Sequence, residues 1–96
     1  MAKAVWNGIV VAESDDTIML EGNHYFPPSS VKRDHLKDSS TETLCPWKGT
    51  ARYYHVVANG KTIEDAAWCY PDPRPMAERL GIKDHMVFWR GVEVSE

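Results

Sequence analysis

Three turn dipeptides constrain the fold more than any other feature of this sequence. Asn7-Gly8, Gly22-Asn23 and Asn59-Gly60 each separate short runs of β-branched, aromatic and other apolar residues. Asn and Gly adopt the positive φ angles of two-residue hairpin turns at little cost. The sequence therefore predicts three β-hairpins. A further step, Arg90-Gly91, predicts a turn or a bulge before the final segment VEVSE.

Helical signals are few and short. Residues 30–37 (SVKRDHLK) predict about two turns with Ser29 or Ser30 as N-cap, and Pro75 to Leu80 predicts another turn that ends at Gly81. Both segments are too short to be stable without tertiary contacts. A chain of 96 residues has room for one core, so we predict a single domain over residues 1–96. This domain should be mainly β, with two packed antiparallel sheets or a small open barrel.

Charge and motif content exclude several classes of function. The chain has 11 Lys and Arg against 14 Asp and Glu, and no three basic residues are consecutive. Broad phosphate neutralisation needs clustered basic residues, so we expect no nucleic-acid partner. The four histidines lack metal-ligand spacing, and two cysteines cannot form a four-thiolate zinc site. No phosphate-loop, dinucleotide, zincin or hydrolase motif occurs, and we expect neither a metal nor an organic cofactor.

The sequence contains no recognisable export or membrane-spanning segment, and we therefore expect a cytoplasmic location. MAKAVWNG contains no apolar signal-peptide region, and no stretch approaches the roughly 20 apolar residues that span a bilayer. We therefore expect no membrane association. Cys45 and Cys69 should stay as thiols in a reducing compartment.

The hairpin at Asn59-Gly60 predicts an aromatic face. A two-residue loop pairs Ala58 with Lys61, and the same register places Tyr53 opposite Ala66 and Ala51 opposite Trp68. Side chains alternate between the two faces of a strand, so Tyr53, Trp68 and Tyr70 share one face with the small residues Gly49, Ala51 and Ala66. Aromatic walls above a floor of small residues are typical of a ligand pocket. The alternative is ordinary core packing beneath a second sheet.

Two His–Glu pairs are candidates for acid–base chemistry. The predicted turns place His55 opposite Glu64 and His24 opposite Glu21, so each carboxylate could hold an imidazole for proton transfer. Most cross-strand pairs of this kind are surface ion pairs without a catalytic role.

The stretch TLCPWKGTARYY (43–54) supplies a thiol and two cations. Lys48 lies three residues after Cys45 and would favour its thiolate form, which makes Cys45 a candidate nucleophile. The alternative is a small buried apolar residue. Lys48 and Arg52 are candidates for binding an anion, or are ordinary solvated charges.

A set of ordered motifs resembles a known family. They are Gly22-Asn23-His24-Tyr25-Phe26-Pro27, Thr43-Leu44-Cys45-Pro46-Trp47-Lys48-Gly49, Tyr53-Tyr54 and Ala66-Ala67-Trp68-Cys69-Tyr70-Pro71, with Trp6-x-Gly8 and Phe88-Trp89 at the two ends. Over nearly the whole chain they resemble domain-of-unknown-function family 427, also described as nucleotidyltransferase-like. The resemblance implies two antiparallel sheets that meet along one edge like a tent. It also implies a cleft lined by Glu21, Tyr25, Cys45, Lys48, Tyr53, Trp68 and Tyr70.

Three functions are compatible with these residues. The first is a module that binds a small planar or anionic molecule through Tyr25, Lys48, Tyr53, Trp68 and Tyr70. The second is an enzyme in which Glu21 or His24 acts as acid or base, Cys45 or Tyr25 lies near the chemistry and Lys48 stabilises negative charge. The third is a homodimeric interaction domain that pairs an exposed sheet edge.

Overall fold

The computed structural model describes all residues, 1–96, and nine strands account for most of them. The strands are β1 (Ala2–Trp6), β2 (Ile9–Ser14), β3 (Ile18–Leu20), β4 (Asn23–Tyr25), β5 (Leu36–Cys45), β6 (Gly49–Ala58), β7 (Lys61–Cys69), β8 (Val87–Phe88) and β9 (Glu93–Ser95). Helical structure is limited to two 3₁₀ turns, Pro28–Ser30 and Arg33–His35, and to α1 (Pro75–Glu78).

All the sheets are antiparallel, which confirms the predicted mainly β class. A central sheet has the order β5-β6-β7-β8, a second has the order β2-β1-β9, and β3 pairs with β4 alone. The strands thus divide among three sheets, since the β3–β4 hairpin forms a unit of its own. No sheet closes into a barrel.

Two of the three predicted hairpin turns lie at the predicted residues. Asn7-Gly8 and Asn59-Gly60 have positive φ angles at both positions and join β1 to β2 and β6 to β7. The predicted Gly22-Asn23 turn is wrong by one residue: the loop is Glu21-Gly22, and Leu20 pairs with Asn23. Glycine therefore takes the second central position, as in the other two hairpins, and Glu21 adopts φ +53°.

The register of β6 and β7 is as predicted close to the turn and differs beyond it. Ala58 pairs with Lys61 and Val56 with Ile63, but an irregularity opposite His55 then places Tyr53 opposite Trp68. Asp65, with φ +51°, lies in this bulge of β7. Because the shift is two residues, Tyr53 and Trp68 still point to the predicted common face.

The central sheet packs a separate core cluster on each face. On one face, Phe88 packs with Phe26, Met86 and the residues of the β1–β2 sheet, and the Phe26 and Phe88 rings meet edge to face with centroids 5.6 Å apart. On the other face, Ala51, Tyr70 and Val87 pack with Tyr25, Ala77 and Ile82. The adjacent residues Tyr25 and Phe26 belong to different clusters, so this short segment contributes to both.

The helical segments are shorter than the sequence predicts. Only the 3₁₀ turn Arg33–His35 lies within the segment 30–37 in which two turns were expected, since Pro28–Ser30 precedes it and β5 begins at Leu36. The turn expected from Pro75 to Leu80 is α1, followed by Gly81 at φ +80°. None of the helices has the length and apolarity needed to cross a membrane.

Candidate functional site

Lys48 is the only charged residue of the chain that is buried. Its ammonium forms an ion pair with the Glu21 carboxylate and lies 3.5 Å from the Tyr25 hydroxyl. The same nitrogen lies 5.5 Å from the centre of the Trp47 ring and 5.4 Å from that of Tyr70, within cation–π range of both. We call these five residues the lysine cluster.

Three separate parts of the chain form the lysine cluster. Glu21 lies at the tip of the β3–β4 turn and Tyr25 ends β4, while Trp47 and Lys48 form the turn between β5 and β6. Tyr70 directly follows β7. The contacts join residues that are 23 and 27 positions apart, so they depend on how the β3–β4 hairpin packs on the central sheet.

The surroundings of Lys48 stabilise its charged form. Burial alone would lower the pKa of Lys48, but the hydrogen bond to Glu21 and the hydroxyls of Tyr25 and Tyr70 raise this pKa overall. Burial raises the pKa of Tyr25 and of Tyr70 above 10.0, and the nearby ammonium of Lys48 offsets part of that rise. At neutral pH Lys48 is therefore a charged ammonium, and the phenols of Tyr25 and Tyr70 are neutral.

The two ends of the ion pair differ in exposure. The Lys48 side chain is 9% exposed and the Glu21 side chain 49%. Water therefore reaches the carboxylate directly, while the ammonium depends on protein groups for its solvation.

The two cysteines have different surroundings. Cys45 is half-buried and packs against the second core cluster, as Trp47 does. Cys69 is buried on the opposite face, where burial raises the pKa of its thiol. The two are not joined by a disulfide.

An aromatic strip continues from the lysine cluster along the same face of the sheet. It consists of Tyr53, Trp68 and Trp89. The rings of Tyr53 and Trp68 are 6.1 Å apart, and Trp89 meets Trp68 edge to face at 5.3 Å. Trp89 is 40% exposed and carries the Arg90 guanidinium 4.6 Å above its ring. The rings pack on one another and leave no enclosed cavity between them.

Neither predicted His–Glu pair forms. His24 lies opposite Met19, its Nδ1 is 2.8 Å from the Thr17 hydroxyl, and its Nε2 is 3.9 Å from the carboxylate of Glu96. The turn one residue earlier takes Glu21 away from it. The candidate Glu21–His24 acid–base couple is therefore wrong.

The bulge of β7 changes the partner of His55 from Glu64 to Asp65. The Asp65 N–H donates to Nδ1 of His55 at 3.0 Å, and the Asp65 carboxylate accepts from Ser39 at 2.5 Å and Thr41 at 2.9 Å. The Trp89 indole donates to the Asp65 carbonyl at 2.6 Å. The hydrogen bonds from Ser39 and Thr41 lower the pKa of Asp65 despite some burial. This residue, which the sequence did not single out, fixes one end of the aromatic strip.

The only cavity of the molecule is a polar groove apart from the aromatic strip. It has a volume of about 260 Å³ and is lined by Glu42, Thr50, Arg52, Pro71 and Asp72. Of these, the sequence singled out only Arg52. No three His, Cys, Asp or Glu side chains converge in the geometry of a metal site.

The fold and the cluster define a class: a small antiparallel β domain with a buried, paired lysine among aromatic rings. The family model for the domain of unknown function DUF427 matches residues 1–96, so the chain belongs to that family. This confirms the resemblance seen in the sequence. A search of curated proteins finds no match to the chain.

Proposed function

We propose that this protein is a cytoplasmic binding protein for a small planar or anionic molecule, held at Lys48. The observation that carries the proposal is the buried ammonium, whose pKa is raised and whose one carboxylate partner comes from an exposed hairpin tip. A ligand carboxylate or phosphate replaces Glu21 as the anionic partner of Lys48.

The energetics of burial support a ligand at this position. A buried ion pair adds little net stability, because removing the charges from water costs about as much as their attraction returns. Ionisable groups whose pKa values are strongly perturbed are common at functional sites. In a chain whose other charged residues are all more exposed, Lys48 is the clearest such group.

The neighbouring rings suit a planar ligand. Trp47 and Tyr70 flank the ammonium, and Tyr53 and Trp68 continue the aromatic surface beyond it. Rings of this kind offer flat contact area, and the phenols add hydrogen-bond donors. A molecule with one anionic edge and one flat apolar face matches both features.

A second candidate is an enzyme that acts on an anionic substrate. The observation that favours it is that the Lys48 ammonium contacts both the Glu21 carboxylate and the Tyr25 hydroxyl. A potential base and a potential acid therefore lie beside one cation. In this case Glu21 is the proton acceptor, Lys48 stabilises negative charge, and His24 takes no part. The nucleotidyltransferase-like chemistry implied by the resemblance falls within this candidate.

One set of variants tests the binding proposal. Inorganic phosphate, benzoate and nucleoside monophosphates serve as probes, and calorimetry and thermal shift report binding. Lys48→Met should weaken binding about 10- to 100-fold, because it removes one charge-assisted hydrogen bond to the ligand. Glu21→Gln should tighten it because the competing carboxylate is gone. Lys37→Met, at an exposed lysine of β5, is the matched control.

Three results would count against the proposal. No binding of any of these anions to the wild type would reject the proposal for these classes of ligand. Equal affinities of the Lys48→Met variant and the wild type would show that the ligand does not bind at Lys48. Weaker binding in the Glu21→Gln variant would show that Glu21 contacts the ligand directly, as the enzyme candidate requires.

A further inference from the structure

The polar groove at Glu42, Thr50, Arg52, Pro71 and Asp72 has the features of a second, separate site. Thr50 and Arg52 lie on β6, Glu42 lies on the neighbouring β5, and Pro71 and Asp72 come from the loop that follows β7. The lysine cluster contributes no side chain to it. The groove is therefore lined by a different set of side chains from the lysine cluster.

The loop wall of the groove is held rigidly. Asp72 lies between Pro71 and Pro73, and proline fixes φ on both sides of it. The Arg74 N–H donates to the Lys48 carbonyl at 3.0 Å, which ties the loop to the start of β6. At Gly49 a Cβ atom would lie 3.2 Å from the Asp72 carbonyl oxygen, so the absence of a side chain allows this close approach. The groove is thus preformed.

The charged groups of the groove have no partners in the protein. Glu42 and Arg52 are cross-strand neighbours, a position in which opposite charges usually attract. Neither of them, nor Asp72, belongs to any ion pair of the molecule. Two carboxylates and one guanidinium therefore face the groove with their hydrogen-bonding capacity free.

We infer that this groove binds a small zwitterionic amine, specifically a free basic amino acid. Two carboxylates and one guanidinium give the lining a net charge of −1, which complements the +1 of free arginine or lysine. In this assignment the carboxylates of Glu42 and Asp72 bind the cationic end of the ligand, and the Arg52 guanidinium and the Thr50 hydroxyl bind its carboxylate. The volume of about 260 Å³ lies below the range typical of drug-sized ligands, which suits a single amino acid.

Titration with L-arginine, followed by the backbone amide signals in NMR, tests this inference. We expect saturable shifts at Glu42, Thr50, Arg52 and Asp72, with a Kd of about 0.1–1 mM because the charges are exposed to water. L-glutamate, which reverses the net charge, should not saturate. Shifts that stay linear up to high arginine concentration, or that concentrate elsewhere, would overturn the inference.

Matched variants locate the charges that matter. Glu42→Gln and Arg52→Gln should each raise the Kd for arginine by up to about fivefold, because each variant loses one exposed charge contact. Glu64→Gln, at an exposed glutamate of β7 outside the groove, is the control and should leave the Kd unchanged. If the Arg52→Gln variant binds arginine with the same Kd as the wild type, the ligand carboxylate does not bind at Arg52 and the inference of a zwitterionic ligand is wrong.

The Lys48→Met variant separates the two sites. If the groove acts alone, this variant loses anion binding and keeps the arginine shifts. Loss of both would show that arginine binds at the lysine cluster and would overturn the assignment to the groove.

Discussion

Replacing Gly49 by alanine tests how closely the loop of residues 71–74 is bound to the start of β6. Gly49 has φ +113°, which side chains rarely allow. A Cβ atom there would lie 3.2 Å from the Asp72 carbonyl oxygen and 3.6 Å from the Arg74 nitrogen and the Pro73 Cα. All three are backbone atoms, so the loop cannot relieve the contact by a change of rotamer.

The cost follows from two contributions. A non-glycine residue held in a rare positive-φ conformation costs about 1–3 kcal/mol. Pushing the loop away adds to this and strains the hydrogen bond from Arg74 to Lys48. We expect Gly49→Ala to destabilise the protein by about 2–4 kcal/mol, a large part of the stability of a domain this small.

Gly60→Ala is the matched control. Gly60 also has a positive φ, +76°, but no atom lies within 4 Å of its Cβ position. Its substitution should therefore cost only the backbone term, about 1–2 kcal/mol. The difference between the two variants combines the contact with the loop and the less favourable φ of Gly49.

Urea unfolding and thermal melts measure both variants. Since about 1 kcal/mol shifts the Tm of a domain of this size by roughly 4–8 °C, Gly49→Ala should lower Tm at least about 5 °C more than Gly60→Ala. The same variant should weaken arginine binding in the groove, whose wall it displaces. Equal Tm losses in the two variants would refute the reasoning, because they would show that the loop is free to move.

Two further predictions concern titration and the β7 bulge. The folded protein raises the pKa of Tyr25 and Tyr70 above 10.0 and that of Lys48 above 10.5, so its stability should be complete below about pH 10 and decline above it. Urea midpoints against pH measure the decline, and Tyr25→Phe should make it shallower; a flat profile to about pH 11 would contradict the stated pKa directions. At the bulge, Asp65→Ala should destabilise the protein about 1 kcal/mol more than Asp65→Asn, because asparagine tolerates a positive φ and keeps a hydrogen-bond acceptor. Denaturation followed by tryptophan fluorescence compares the two, and equal stabilities would show that the hydrogen bonds from Ser39 and Thr41 add nothing.

The sequence predicted the local features of the fold and failed where tertiary contacts decide. Asn7-Gly8 and Asn59-Gly60 specify their turns by backbone preference alone, and both lie where predicted. The β3–β4 turn uses Glu21, whose positive φ no local preference favours. Its partner Lys48 lies 27 residues away, and only the packed structure shows that contact.

The same limit applies to the site. Tyr25, Lys48 and Tyr70 were candidates from the sequence, and the structure places them together. The pairing of His55 with Glu64 failed because Asp65 bulges out of the strand, and no turn residue marks that bulge in the sequence. Trp89, next to the predicted Arg90-Gly91 turn, is the one member of the aromatic strip that was not a candidate from the sequence.

The positive φ of Glu21 has a consequence for engineering this domain. Asparagine is a better turn former than glutamate at such a position, so Glu21→Asn should strengthen the β3–β4 turn. The shorter side chain would also leave the Lys48 ammonium without its carboxylate. A stabilisation programme that optimises turns by residue preference would therefore also change the net charge around Lys48, so a variant at position 21 alters turn stability and the lysine cluster together.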